Sequence, residues 1–313
     1  MCAGVIEALT TFEDDGAVEA VVFDHAEGRG FCAGGDIRML AESGAGDGVA
    51  ARAFFHTEYR MNHRLFTYTK PTIAIMDGIT MGGGVGIALP CRYRIATENT
   101  RFAMPETGIG LFPDVGGGWY LPRLPGQIGK FLALTGARLD GAECLAIGLA
   151  THYLTASDVG AALTALSNDM ADIGGMLKAY GAGAPLARIV ENRTHIDRLF
   201  AADSVADIMT ALANDSSDWA AKELATMRTK SPLSMAVALR QLREGAAMPD
   251  FAAEMAQEYA IGARVVHSHD FIEGVRALIV DKDNAPRWQT NVDDAELNAI
   301  FEPRPAGQEW TPL

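Results

Sequence analysis

Two carboxylates, Glu106 and Asp114, stand in PETGIGLFPDVGGG (residues 105–118), a segment otherwise apolar and glycine-rich that holds no Lys, Arg or His to neutralise them. Burying an unpaired carboxylate is costly, so such a pair is solvated, caps a helix, or is held for chemistry. Spacing alone favours the capping roles. Asp114 follows Pro113 and precedes VGGGWYLPRL, which suits a helix N-cap; Glu106, one residue past Pro105, suits a first helical turn, where negative charge is mildly favourable. A third acid, Glu58, shares helical spacing with Phe54, Met61 and Leu65, which puts a carboxylate on an apolar stripe. It is either a buried acid paired with an arginine or a group kept for a ligand.

Three glycine clusters accompany these acids: GRGFCAGGD (28–36), GGGVG (82–86) and GGG (116–118). Each follows an apolar segment and precedes a helical one. A missing Cβ there permits positive φ and close ligand approach, and free amides at a helix start favour developing negative charge. Tight packing of helix on strand is the competing explanation. Gly28, Gly30 and Ala33 also satisfy G-x-G-x-x-A, but a dinucleotide site needs a second strand soon after, and AESGAGDGVAARAFF supplies a loop and a helix instead. There is no G-x-S-x-G elbow and no P-loop, and the seven histidines are dispersed without metal-ligand spacing.

The elements that must carry these residues are α/β first and helical afterwards. VEAVVFDHA (18–26) and PTIAIMDGIT (71–80) read as buried strands, and YRIATENTRFAM (93–104) continues as strand. Helices are expected at VIEALTTFEDDG, from DIRML, through ARAFFHTEYRMNHRLF, after MGGGVG, through WYLPRLPGQIGKFLALTG and over DGAECLAIGLATHYL to about Leu154. DIGGMLKAYGAGAPLAR (172–188) is Gly- and Ala-rich and reads as a joint; beyond it several amphipathic helices follow, including SPLSMAVALRQLREGAA and FAAEMAQEYAIGARVV.

At 313 residues and 49% hydrophobic, the chain is long enough for a large core. Its 26 basic against 40 acidic residues give a net charge of −14, which argues against nucleic acid or an anionic membrane as a partner. Cys2, Cys32, Cys91 and Cys144 are scattered, as expected of reduced thiols in a cytoplasmic protein.

Taken together, GFCAGGDIR, GITMGGGVGIAL, FAMPETGIGLFPDVGGGWYLPRL and HDFIEGVRALIVDKDNAPRW resemble the crotonase (enoyl-CoA hydratase/isomerase) superfamily and, within it, the 3-hydroxyisobutyryl-CoA hydrolase family, from about Val18 to Trp288. The resemblance implies a crotonase-type spiral of ββα units (residues 1–156) with a helical C-terminal lobe (157–313). It also implies hydrolysis of a short 3-hydroxyacyl-CoA thioester in valine breakdown, with coenzyme A part of the substrate and no further cofactor or metal. Matched motif by motif, the oxyanion amides fall at Gly35 and Gly83. The two-glutamate hydratase route would need an acid at position 86, where this chain has glycine; Glu106 is kept, and Asp114 stands where hydratases usually carry glycine. Glu106 is then the nucleophile on the thioester or the general base on water, Asp114 positions water or manages the leaving-group proton, and Glu58 meets the substrate's 3-hydroxyl. Arg29 and Lys282 are candidates for the phosphates of coenzyme A, and Cys32 and Ala33 for its adenine. An enoyl-CoA hydratase/isomerase and a non-catalytic acyl-CoA binding protein are the alternatives, and a homo-oligomer is left open. The family's usual opening strand, hairpin and LNRP-like segment have no counterpart before VIEALTTFEDDG, so an upstream start codon is expected.

Overall fold

Thr72–Met76 is a run of five residues with every side chain buried, the pattern of a parallel strand covered on both faces. In the computed structural model, which describes residues 1–25 and 30–313, it is strand β2 of a parallel sheet ordered β1-β2-β4-β6. The other members are β1 (Val21–Phe23), β4 (Tyr93–Ala96) and β6 (His152–Tyr153). A second parallel pair joins β3 (Ile79–Met81) to β5 (Arg101–Ala103), in register Ile79 with Arg101 and Met81 with Ala103.

Each of the two long strands expected from sequence is therefore two short ones. PTIAIMDGIT breaks at Asp77–Gly78, where Gly78 has φ +92°, and YRIATENTRFAM breaks at a turn in which Thr100 Oγ1 bonds the Thr97 amide at 2.8 Å and the Met76 carbonyl at 2.6 Å. One half of each goes to each sheet, so β2 with β3 and β4 with β5 form successive ββ units. The first leads into helix α4 (Gly83–Ala88). This is the crotonase-type α/β arrangement. The helix expected to run to Leu154 stops at Ala146, and His152–Tyr153 pairs with β4 instead.

The chain groups into two units, each assembled from distant segments: Met1–Gly34, Arg64–Ala103 and Arg138–Asn192 in one, and Gly35–His63, Met104–Ala137 and Arg193–Leu313 in the other. Residues 157–192, expected in the helical lobe, group with the first; residues 35–63 and 104–137 group with the second. The first unit packs Ile73, Ile75, Ile95 and Leu154 against Val159, Ala162 and Leu166 of one helix and Ile173 and Leu177 of the next. That second helix, Ile173–Ala179, lies where the sequence suggested a joint. It also contains α1 (Cys2–Asp14).

The second unit is helical. Its segments include α2 (Ile37–Gly44), capped by Asp36, and α3 (Val49–Phe66) through His63. The short α5 (Gly117–Tyr120), α6 (Ile128–Thr135) and the long helices Pro232–Gly245 and Phe251–Val265 follow. Phe131 on α6 packs its ring 5.4 Å from that of Phe200 and 5.8 Å from that of Trp219. Among the described residues no helix is long and apolar enough to cross a membrane.

Candidate active site

Helix α3 carries Phe55, Glu58, Tyr59, Met61, Asn62 and Leu65 on one buried face. The acid on this stripe is the one that helical spacing had singled out. Its neighbour Tyr59 is fully buried, and the Tyr59 hydroxyl donates to Asp114 Oδ2 at 2.9 Å. Glu106 opens a 3-10 turn, Glu106–Gly108, which is pinned on both sides: the Ser231 amide donates to the Thr107 carbonyl at 3.0 Å, and Thr107 Oγ1 donates to the Ala133 carbonyl at 3.3 Å. The three acids expected to do the chemistry therefore all lie in the second unit. They are only 3–5% exposed, and none forms an ion pair with Lys or Arg among the described residues.

Their electrostatics follow from that burial. Glu106 is pushed well above the usual glutamate range by desolvation and then by the charge of Asp114, and its Oε2 has no hydrogen-bond partner among the described residues. Glu58 is raised for the same two reasons, and it has no arginine partner among the described residues. Asp114 is raised by desolvation to about 6, against the opposing Tyr59 hydrogen bond. Three carboxyls in one dry site cannot all be charged, so their proton affinities separate.

Asp114 is not the helix cap that its place in the sequence suggested. Helix α5 starts at Gly117, and its cap residue is Gly116, at φ +96°, a backbone conformation open to glycine and strained for most other residues. The amides there are taken by a carboxylate from far along the chain. Glu258 accepts from Gly116 N at 2.9 Å and from Gly118 N at 3.2 Å. Gln241 Nε2 donates both to Glu258, at 3.1 Å, and to the Pro113 carbonyl, at 3.0 Å. Asp114 is thereby left free to receive Tyr59. Sequence inspection had missed Tyr59, Gln241 and Glu258, although Glu254 and Glu258 sit among Phe251, Met255 and Val265 on an apolar stripe, the same signal that marked Glu58.

The remaining expected residues are distributed as follows. Gly83 is the first residue of α4, so its N–H lacks an intrahelical partner. Helix α4 lies tight on the backbone at Cys32, because a Cβ at Gly84 would stand 2.2 Å from the Cys32 carbonyl oxygen. Cys32 is bridged to Thr80 and half-buried; Ala33 is exposed. Gly35, in the second unit, is exposed beside Phe54, one turn before Glu58 on α3. Lys282 is exposed at φ +58° in a turn whose flanking Asp281 and Asp283 both bind Arg276 at 2.7 Å. Arg29 lies outside the described residues. A cavity of about 790 Å3 in the second unit, lined by Met209, Met227, Lys230 and Leu239 among others, includes none of the candidate acids.

A family model described as enoyl-CoA hydratase/isomerase matches residues 1–301. The chain belongs to the enoyl-CoA hydratase/isomerase family. Among curated members, the mitochondrial 3-hydroxyisobutyryl-CoA hydrolase of Danio rerio is 41% identical over 298 residues, covering 92% of this chain and 78% of its own. Two solved family structures are similar throughout. One is a carnitinyl-CoA dehydratase from Mycobacterium thermoresistibile (TM-score 0.93, 37% identity, 99% of this chain and 90% of that one). The other is an enoyl-CoA hydratase from Rhodobacter sphaeroides (TM-score 0.90, 38% identity, 99% and 92%). The names of the curated relatives correct one expectation: they are mitochondrial proteins and point to the mitochondrion rather than the cytoplasm. Scattered thiols report a reducing environment, and more than one compartment provides it.

Proposed function

We propose that this protein hydrolyses 3-hydroxyisobutyryl-CoA to 3-hydroxyisobutyrate and coenzyme A, a step of valine breakdown. The observation that carries it is the pairing of Glu106, buried with an unpartnered Oε2, with Asp114, whose proton affinity burial raises to about 6. The identity of about 40% to hydrolases of that name over most of the chain supports the substrate.

In this mechanism Glu106 Oε2 attacks the thioester carbonyl carbon, and the carbonyl oxygen takes up negative charge. The family resemblance assigns stabilisation of such an oxyanion to the amides of Gly35 and Gly83, and donors of this kind contribute about 3 to 4 kcal/mol each at the transition state. Collapse expels the thiolate, which takes the proton of neutral Asp114, leaving a mixed anhydride on Glu106. Water then adds to the anhydride, giving a proton back to Asp114 and freeing Glu106 as a carboxylate. A group near 6 is populated in both forms near neutrality, which this exchange requires. Glu58 accepts or donates a hydrogen bond to the 3-hydroxyl.

Hydration, the activity for which the similar Rhodobacter sphaeroides protein is named, is less well supported. Helix α4 reads GGVGIA and supplies no carboxylate, so the second glutamate of the hydratase route is missing at position 86. The assay is thiol release from 3-hydroxyisobutyryl-CoA beside hydration of crotonyl-CoA. Thiol release is expected; hydration without thiol release refutes the hydrolase, and tight binding with neither activity favours a binding protein.

A further inference from the structure

Residues 113–118 form the loop that holds Asp114, and both of its flanks are fastened to buried polar side chains of the long helices. On one side Gln241 Nε2 donates to the Pro113 carbonyl. On the other, Glu258 accepts from the amides of Gly116 and Gly118. Between them Val115 is held at φ +52°, an unfavourable conformation for a β-branched residue, and persists only where its surroundings fix it. Gln241 and Glu258 also bond one another, so the two fastenings are one clamp.

Capping a four-residue helix does not require so expensive a group. The long helices of this unit are capped by local Ser231 and Asp250 side chains. Glu258 is instead fully buried, and it lies beside Glu254, also fully buried, a second carboxyl in the same apolar helix face. Desolvation, then the charges of Glu254 and Asp114, raise its proton affinity, against the two amides. Such an arrangement is retained where a precise backbone position matters.

We propose that Glu258, acting with Gln241, is a positioning residue that sets Asp114 in place for proton transfer. It touches no reacting atom; it acts through the backbone of residues 113–118. The inference rests on the hydrolase function above, and its tests separate the two.

The test compares Glu258→Gln, Gln241→Leu, Asp114→Asn and the double variant Asp114→Asn/Glu258→Gln. A misplacement of about 1 Å lowers turnover by about a hundredfold, so kcat of Glu258→Gln should fall tenfold to a hundredfold with KM within about twofold. In the Asp114→Asn background the same change should lower kcat less than about threefold, because its effect runs through Asp114. An unchanged kcat, or the full loss repeated in that background, overturns the proposal. Should Glu258→Gln not fold, Gln241→Leu gives the same two comparisons. Amide hydrogen exchange over residues 113–118 is read independently of turnover. It should accelerate at least tenfold in either single variant while α6 stays protected, and unchanged exchange overturns the clamp even if the wild type proves inactive on the thioester. Absent thiol release by the wild type with accelerated exchange would sink the function and leave the clamp standing.

Discussion

Replacing Asp114 with Asn should make the protein more stable and less active, in a way that depends on pH. Burial raises the Asp114 carboxyl to about 6 from its ordinary value of 3.8. The folded state therefore holds a proton that the unfolded chain releases, and stability falls as pH rises from about 4 to about 6 and stays lowered above that. A shift of about two units corresponds to about 3 kcal/mol at pH 8, about 2 at pH 5 and less than about 1 at pH 4. Asn has nearly the same shape and keeps an oxygen for Tyr59, so most of this penalty should be relieved. Urea denaturation of wild type and Asp114→Asn at pH 8, 5 and 4 measures it. The variant should gain about 1 to 3 kcal/mol at pH 8, shrinking toward zero at pH 4, while kcat drops by about two to four decades. A variant no more stable than wild type at pH 8, or one whose gain is the same at every pH, refutes the electrostatic account of this site.

Other expectations follow from the same contacts. Glu106 must be a carboxylate to attack, and the charge of Asp114 helps raise its proton affinity, so residual turnover in Asp114→Asn should lose its acid limb at lower pH than wild type; a pH profile of kcat shifted the opposite way contradicts this. Tyr59→Phe removes the one side-chain donor to Asp114 among the described residues and should destabilise the fold by about 1 to 3 kcal/mol at neutral pH, read by denaturant midpoint, while the alkaline limb of kcat, set by loss of the Asp114 proton, moves up. Gly84→Ala would push a methyl to within 2.2 Å of the Cys32 carbonyl and should lower stability by about 1 to 3 kcal/mol or more, read by thermal melting.

The geometry of the candidate site was partly legible in the sequence because its buried acids break a pattern. Glu58 interrupts an apolar helical stripe, and Glu106 and Asp114 interrupt an apolar loop; all three prove buried without cation partners among the described residues. What spacing did not reveal is which group serves which amide. Asp114 has the sequence of a cap, yet a carboxylate 142 residues away caps that turn at Gly116. Such long-range substitution has no local signature. The strand breaks at Gly78 and Thr97–Thr100 did leave a local mark, since Asp77-Gly78 and Glu98-Asn99 are turn residues inside otherwise strand-like runs, but which half joins which sheet is decided by the two-sheet topology. The interleaving of segments in the two units is likewise a property of tertiary contacts, which leave no mark on composition. The compartment was misjudged because thiol spacing reports redox conditions and not location.

The most direct test is thiol release from 3-hydroxyisobutyryl-CoA by wild type and Glu106→Gln under saturating substrate. The amide is isosteric and neutral, so the fold and substrate binding should persist. Wild type should release coenzyme A with turnover and Glu106→Gln should release none above background; full thiol release by Glu106→Gln would remove Glu106 from the mechanism and with it the central claim.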